Sequence, residues 1–197
     1  MIIERRDQVL IGFFSPLSTA FSTFFSKCRS INGPFLRERG MVIPLKNYNH
    51  SKQYSLPVKP SPNLPNNKSI NLYPSLCFFE GTNVSVGRGT EKQFQIFGSP
   101  FMKADTIQFC FTPQPNFGAK YPKHENIECC GFDLSNTKNL HEINLSYLIE
   151  AYSSTLDKNN FFNNFFTKLA GTKKLQEQLE NNLTEKEIYI SWQPKIE

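Results

Sequence analysis

Along this chain the spacing of apolar residues changes several times, and each change predicts an element. Leu17, Ala20, Phe21, Phe24, Phe25 and Cys28 recur at helical spacing after Ser15-Pro16, a cap followed by proline at the first helical position. Residues 16–28 therefore read as an amphipathic helix. Residues 41–45 form a short strand that Pro44 confines to an edge or an end. Residues 46–69 are rich in proline and asparagine and read as extended and irregular. Aromatic and apolar runs at 94–97, 107–111 and 128–134, separated by proline and glycine turns, predict three strands. Leu145, Leu148, Ile149, Tyr152 and Leu156 mark a helix over about 143–157. Leu175 and Leu179 mark another over about 173–181, with Thr172 as its cap. Thr184 and Glu187 form a capping box, with Leu183 and Ile188 placed as its hydrophobic staple. The expected fold is α+β: a small, mainly antiparallel sheet with several helices and long proline-rich loops.

Composition narrows the picture. A chain of 197 residues fits one ordinary domain with a sizeable core. Nineteen phenylalanines are heavy for so polar a chain, so they pack a core or cover a surface that another body meets. The net charge of +5 suits an anionic partner, and acidic sugars or nucleic acid both qualify. No aromatic RNA-binding signature or recognition helix supports nucleic acid. Five cysteines lack C-x-x-C spacing and three histidines stand far apart, so no metal and no cofactor is expected. Cys77 and Cys110 lie in apolar runs and read as buried thiols, and one of Cys129 and Cys130 should face the core. No stretch reaches the roughly 18 apolar residues of a membrane span. Residues 9–25 mark a signal peptide only weakly, because Glu4 and Asp7 offset Arg5 and Arg6 ahead of them.

Candidate chemistry gathers around residues 72–90. The first half of this stretch is apolar and aromatic; the second is polar, with Gly81, Gly87 and Gly89 and a single Arg88. A buried segment delivering Glu80, followed by a loop whose glycines allow close backbone approach, is a common support for a site. A tight surface turn is the structural alternative. Just upstream, prolines in Lys59-Pro60-Ser61-Pro62-Asn63-Leu64-Pro65 hold Ser61 and Asn63 in fixed directions. Two rigid polar segments so close in sequence suggest two walls of one pocket. A phosphate-binding P-loop fails on spacing, since five residues separate Gly81 from Gly87 and Arg88 follows.

These residues carry a family resemblance. Pro60-Ser61-Pro62-Asn63-Leu64-Pro65, Leu72-Tyr73-Pro74 and Phe79-Glu80-Gly81-Thr82-Asn83-Val84-Ser85-Val86-Gly87-Arg88-Gly89-Thr90 resemble the exo-β-N-acetylmuramidase (NamZ-type) family. Phe111-Thr112-Pro113, Phe165-Phe166, Leu169-Ala170-Gly171-Thr172 and Ile190-Ser191-Trp192 continue it, so that it covers roughly residues 41–197. Residues 1–40 match poorly and read as a remnant or linker. The resemblance implies removal of N-acetylmuramic acid from the non-reducing end of peptidoglycan fragments, in the periplasm or outside the cell. It also implies a Rossmann-like half ahead of the matched part, where the principal catalytic glutamate is expected. The chain therefore reads as clipped at both ends and as the substrate-side half of the enzyme, inactive or nearly so alone. A non-catalytic carbohydrate-binding module is the alternative.

Under that resemblance the expected roles are specific. Glu80 is the candidate catalytic carboxylate, since Phe78 and Phe79 would desolvate it as a general acid requires. Bonding to the amides of the following loop is its structural alternative. Glycosidases use two such groups, and no second carboxylate shares the motif. Arg88 suits a bidentate grip on the lactyl carboxylate of muramic acid, or an ion pair with Glu80. Ser61, Asn63, Thr82, Asn83 and Ser85 are candidates to bind sugar hydroxyls or the acetamido group, or else to cap turns. Tyr73 could stack on a sugar face or pack in the core.

Overall fold

The structure, a computed structural model, describes residue 46 and residues 54–103 and 109–193. The chain divides into two units, Met1–Tyr54 and Ser55–Glu197, and the elements below belong to the second. The expected helix over 16–28 and strand over 41–45 lie outside the described residues.

Helix α1 spans Asn67–Leu76, where the sequence pattern suggested an irregular approach to an apolar run. Pro74 inside it hid the helical period. What starts it is a capping box: the Asn66 side chain accepts from the Ser69 amide, while Ser69 Oγ accepts from the Asn66 amide. Ser69, Leu72 and Leu76 then share the buried face. A 3-10 turn, Cys77–Gly81, follows directly and carries Glu80. A Cβ on Gly81 would lie 2.4 Å from the Phe166 backbone, so only glycine lets this turn meet the helix beyond it.

Three strands form an antiparallel sheet: β1 (Ile96–Ser99), β2 (Phe109–Phe111) and β3 (Cys129–Asp133), in the order β1-β3-β2. β2 and β3 fall within the stretches the apolar pattern marked, and β1 overlaps the marked 94–97 but runs two residues beyond it. Register places Phe97 opposite Phe132 and Cys110 opposite Cys130. That second pair corrects the reading of Cys110: it is exposed and joined to Cys130 in a disulfide across the strands. Pairing of this kind depends on strand register, which the cysteine spacing alone does not reveal. Cys77 and Cys129 remain thiols, and Cys129 is the member of the adjacent pair that faces the core. Burial pushes the Cys129 thiol up to about 12 and that of Cys77 to about 11, so both are inert at neutral pH.

Four helices complete the described fold: α2 (Ser146–Ser154), α3 (Phe166–Ala170), α4 (Lys174–Glu180) and α5 (Glu185–Trp192). The box expected at Thr184 and Glu187 is present, and Ile188 is fully buried behind it. Glu185 reaches across to accept from the amides of Leu145 and Ser146, so the first turn of α5 caps α2. Thr172 Oγ1 accepts from the Lys174 amide at the start of α4. The phenylalanines build much of the core. Phe79 stacks on Phe97 and Phe97 on Phe132, while Phe161, Phe162 and Phe166 cluster with Tyr152. The fold is thus α+β with a small antiparallel sheet, as the sequence pattern implies.

Candidate functional site

Phe79 and Glu80, in the 3-10 turn, open a polypeptide wall that runs to Thr90. Thr82 shapes the bend: its hydroxyl donates to the Phe79 carbonyl and accepts from the Val84 amide. The Ser85 backbone then exchanges both hydrogen bonds with Gly98 at the end of the sheet, at 2.8 and 2.9 Å. Gly87 and Gly89 adopt φ of 72° and 83°, in the left-handed region that costs other residues energy. Between them Arg88 turns back, and its Nη1 lies 3.3 Å from both oxygens of Glu80. The ion-pair alternative for Arg88 is therefore realised. Both partners still reach solvent, with side chains 39% and 29% exposed. Although Phe79 is fully buried, Glu80 itself is not stripped of water.

A second wall comes from the proline-stiffened loop between β2 and β3. Asn116 Oδ1 accepts from the amides of Gly118 and Ala119 and fixes the loop tip. The Gln114 amide donates to Gly89 O, and Asn63 Nδ2 donates to Gly118 O at 2.6 Å. Further on, Lys123 turns inward. Its Nζ donates to three carbonyls of the first wall, those of Phe79, Thr82 and Val84, at 3.0, 2.5 and 3.0 Å. His124 Nε2 meets a fourth, that of Asn83, at 2.6 Å. Burial lowers the Lys123 ammonium to about 8, with the Glu80 carboxylate opposing that shift and the Arg88 guanidinium adding to it.

Between the walls lies a cavity of about 210 Å³. Glu80, Val84, Ser85, Val86 and Arg88 line one side, and Tyr121, Pro122 and Lys123 the other. Two cations and one carboxylate leave it net positive, which suits an anionic ligand. Among residues singled out from the sequence, it gathers Glu80, Ser85 and Arg88. Ser85 is only 2% exposed, and its Oγ has no hydrogen-bond partner in the protein.

The other candidates stand elsewhere. Ser61 Oγ accepts from the Asn63 amide, a local turn bond, and Asn63 braces the tip of the opposite wall. The two are rigid as expected, yet neither lines the cavity. The Thr82 hydroxyl is spent within its own bend. Asn83 contributes its carbonyl to His124, while its side-chain Oδ1 is buried without a partner. Tyr73 packs edge-on against Phe94 at 4.9 Å and burial raises its hydroxyl pKa, which fits the core alternative. Tyr121, Lys123 and His124 were not among the sequence candidates. A lysine beside prolines gives no hint of carbonyl partners some forty residues upstream.

Among the described residues, one group of side chains has the proximity of a metal site: Cys110, Glu128 and Cys130. The two sulfurs are bonded to each other, so the group offers no thiolate.

Comparison with known proteins gives a consistent picture. The family model described as "Exo-beta-N-acetylmuramidase NamZ, C-terminal" matches residues 71–197. Peptidoglycan beta-N-acetylmuramidase NamZ of Bacillus subtilis (strain 168) is 29% identical, over 79% of this chain and 42% of that protein. The crystal structure of a DUF1343 family protein from Bacteroides fragilis NCTC 9343 is 44% identical with a TM-score of 0.73, over 79% of this chain and 45% of that one. The chain thus spans less than half the length of both relatives.

Proposed function

Since the chain belongs to the family of exo-β-N-acetylmuramidase NamZ C-terminal domains, we propose that it recognises the terminal N-acetylmuramic acid of peptidoglycan fragments and forms the substrate-side wall of a glycosidase cleft. The observation that carries this reading is Arg88. It is held between two left-handed glycines, lines the cavity and keeps a solvent-facing edge beyond its contact with Glu80. N-acetylmuramic acid differs from N-acetylglucosamine by a lactyl ether that carries a carboxylate, and a guanidinium fork is suited to that group.

Among the described residues, Glu80 is the one carboxylate in the cavity lining. Hydrolysis of a glycoside needs a proton donor and a second group opposite it, typically both carboxylates. Glu80 supplies one of the pair in this proposal, and the other comes from the Rossmann-like half expected ahead of the matched region. A cavity of about 210 Å³ also falls below the roughly 300–1,000 Å³ of complete small-molecule pockets. One wall of a shared cleft accounts for both facts. Residues 41–197 constitute the recognition domain in this reading, with residues 1–40 outside it. The Cys110–Cys130 disulfide favours an oxidising compartment, the periplasm or the exterior, where peptidoglycan lies.

The test pairs binding with turnover. Titration of the chain with N-acetylmuramic acid should show binding that N-acetylglucosamine does not match, while a chromogenic muramide is released slowly or not at all. Equal affinity for the two sugars removes the lactyl grip. Robust release of muramic acid removes the claim that a catalytic group lies elsewhere. A non-catalytic carbohydrate-binding module is the second reading, favoured by the same single carboxylate; it predicts undiminished sugar binding in Glu80→Gln together with no turnover when the Rossmann-like half is supplied.

A further inference from the structure

We propose that Tyr121 is the stacking platform for the second sugar ring of a saccharide whose terminal muramic acid occupies the cavity, an inference that rests on the muramic acid reading above. The first step is size. A space of about 210 Å³ takes one pyranose with its substituents at most, so the next ring must lie outside it, across the rim. Tyr121 lines the cavity and yet is 80% exposed, which places its ring at that rim.

The second step is rigidity. Tyr121 precedes Pro122, and the following residues, Lys123 and His124, are tied to four carbonyls of the opposite wall. On the other side, the Asn116 turn and Asn63 hold the loop tip. A ring on a braced loop loses little entropy when a ligand covers it. Lys120 Nζ sits over the ring, 5.3 Å from its centroid, so this cation–π contact backs one face and a sugar would stack on the other. A pyranose presents apolar C–H groups on its faces, and an exposed phenol ring presents an apolar surface with a polar tip.

The experiment is calorimetric titration of the 197-residue chain with N-acetylmuramic acid and with a thio-linked disaccharide of N-acetylmuramic acid and N-acetylglucosamine, which resists hydrolysis. In the wild-type chain the disaccharide should bind about tenfold more tightly than the monosaccharide. Tyr121→Ala should bring the two dissociation constants to within about twofold of each other, and Tyr121→Trp should restore the tenfold ratio. Phe117→Ala removes a ring that is 96% exposed in the same loop but does not line the cavity, and it should leave the ratio intact. A wild-type chain with no preference for the disaccharide overturns the proposal. So does a ratio that survives Tyr121→Ala, which would assign the ring to a protein contact instead. Monosaccharide binding with either of those results spares the muramic acid reading, whereas failure of the monosaccharide to bind overturns both.

Discussion

The two walls of the cavity are built on opposite principles. The wall from Phe79 to Thr90 is braced largely by its own chain: a threonine bend, a backbone exchange with Gly98 and two left-handed glycines. The wall from Pro113 to His124 is braced by what it reaches. Lys123 spends all three donors on carbonyls of the first wall, and Asn63 arrives from a distant segment to hold the tip. The first wall announces itself in the sequence because its constraints are local. The second does not, because its constraints are bonds to residues 39 to 55 positions away. A cavity made this way has its recognition chemistry on one side and its dimensions set from the other.

The harshest test of that contrast is to cut the link. In Lys123→Met the Phe79 carbonyl keeps the amide and hydroxyl of Thr82, but the carbonyls of Thr82 and Val84 lose their charged donor. With a charge-assisted bond worth about 1.5–3 kcal/mol, partly offset by relief from burying an ammonium, the net loss should be roughly 3–5 kcal/mol. Urea unfolding at pH 7 measures it; a loss under about 1 kcal/mol would mean that the walls hold together without Lys123.

The same residue gives a pH signature with a definite sign. Its folded-state pKa is about 8, below the ordinary 10.5, so between those values the unfolded chain binds more protons than the folded one. Stability contributed by Lys123 therefore rises as pH rises through that window. The gap between the wild-type chain and Lys123→Met should widen from pH 8 to 10. A narrowing gap would show that the ammonium is better held in the fold than in water.

Gly89 is where the walls touch. A Cβ there would stand 2.6 Å from the Gln114 carbonyl oxygen and 2.7 Å from Pro122, at a backbone φ of 83°. Gly89→Ala should cost about 2–3 kcal/mol, from left-handed strain plus displacement of the opposite wall. Gly171 provides the control: its φ is 73°, but nothing lies within 4 Å of its would-be Cβ. If Gly89→Ala costs no more than Gly171→Ala, close approach contributes nothing and only backbone strain remains.

Elsewhere the same division decides what could be read from residues alone. The Thr184–Glu187 box involves neighbours within one turn, and it stands where the pattern put it. The three strands are anchored in short apolar runs between breakers, so their positions were legible within a few residues. Helix α1 was not, because Pro74 breaks the expected period while the capping box at Asn66 starts the helix regardless. The disulfide between Cys110 and Cys130 required knowing which strands pair and in which register. At the site, Glu80, Ser85 and Arg88 fall on one local motif and line one cavity. Ser61 and Asn63 showed their stiffness in the flanking prolines, but stiffness carries no information about where a rigid segment points.

The smallest effect on the fold should come from the residue with the largest proposed role in recognition. Arg88 and Glu80 form a partly exposed pair at 3.3 Å, and such pairs contribute roughly 0–1 kcal/mol. Arg88→Ala should therefore shift unfolding by less than about 1 kcal/mol while weakening N-acetylmuramic acid binding at least tenfold, equivalent to about 1.4 kcal/mol. Arg88→Lys keeps the charge but loses the planar fork, so it should recover stability more fully than affinity. Equal losses of stability and affinity in Arg88→Ala would make the arginine a strut of its own wall. Affinity fully restored by lysine would reduce the recognition to a point charge, and the shape of the guanidinium between its two glycines would no longer matter.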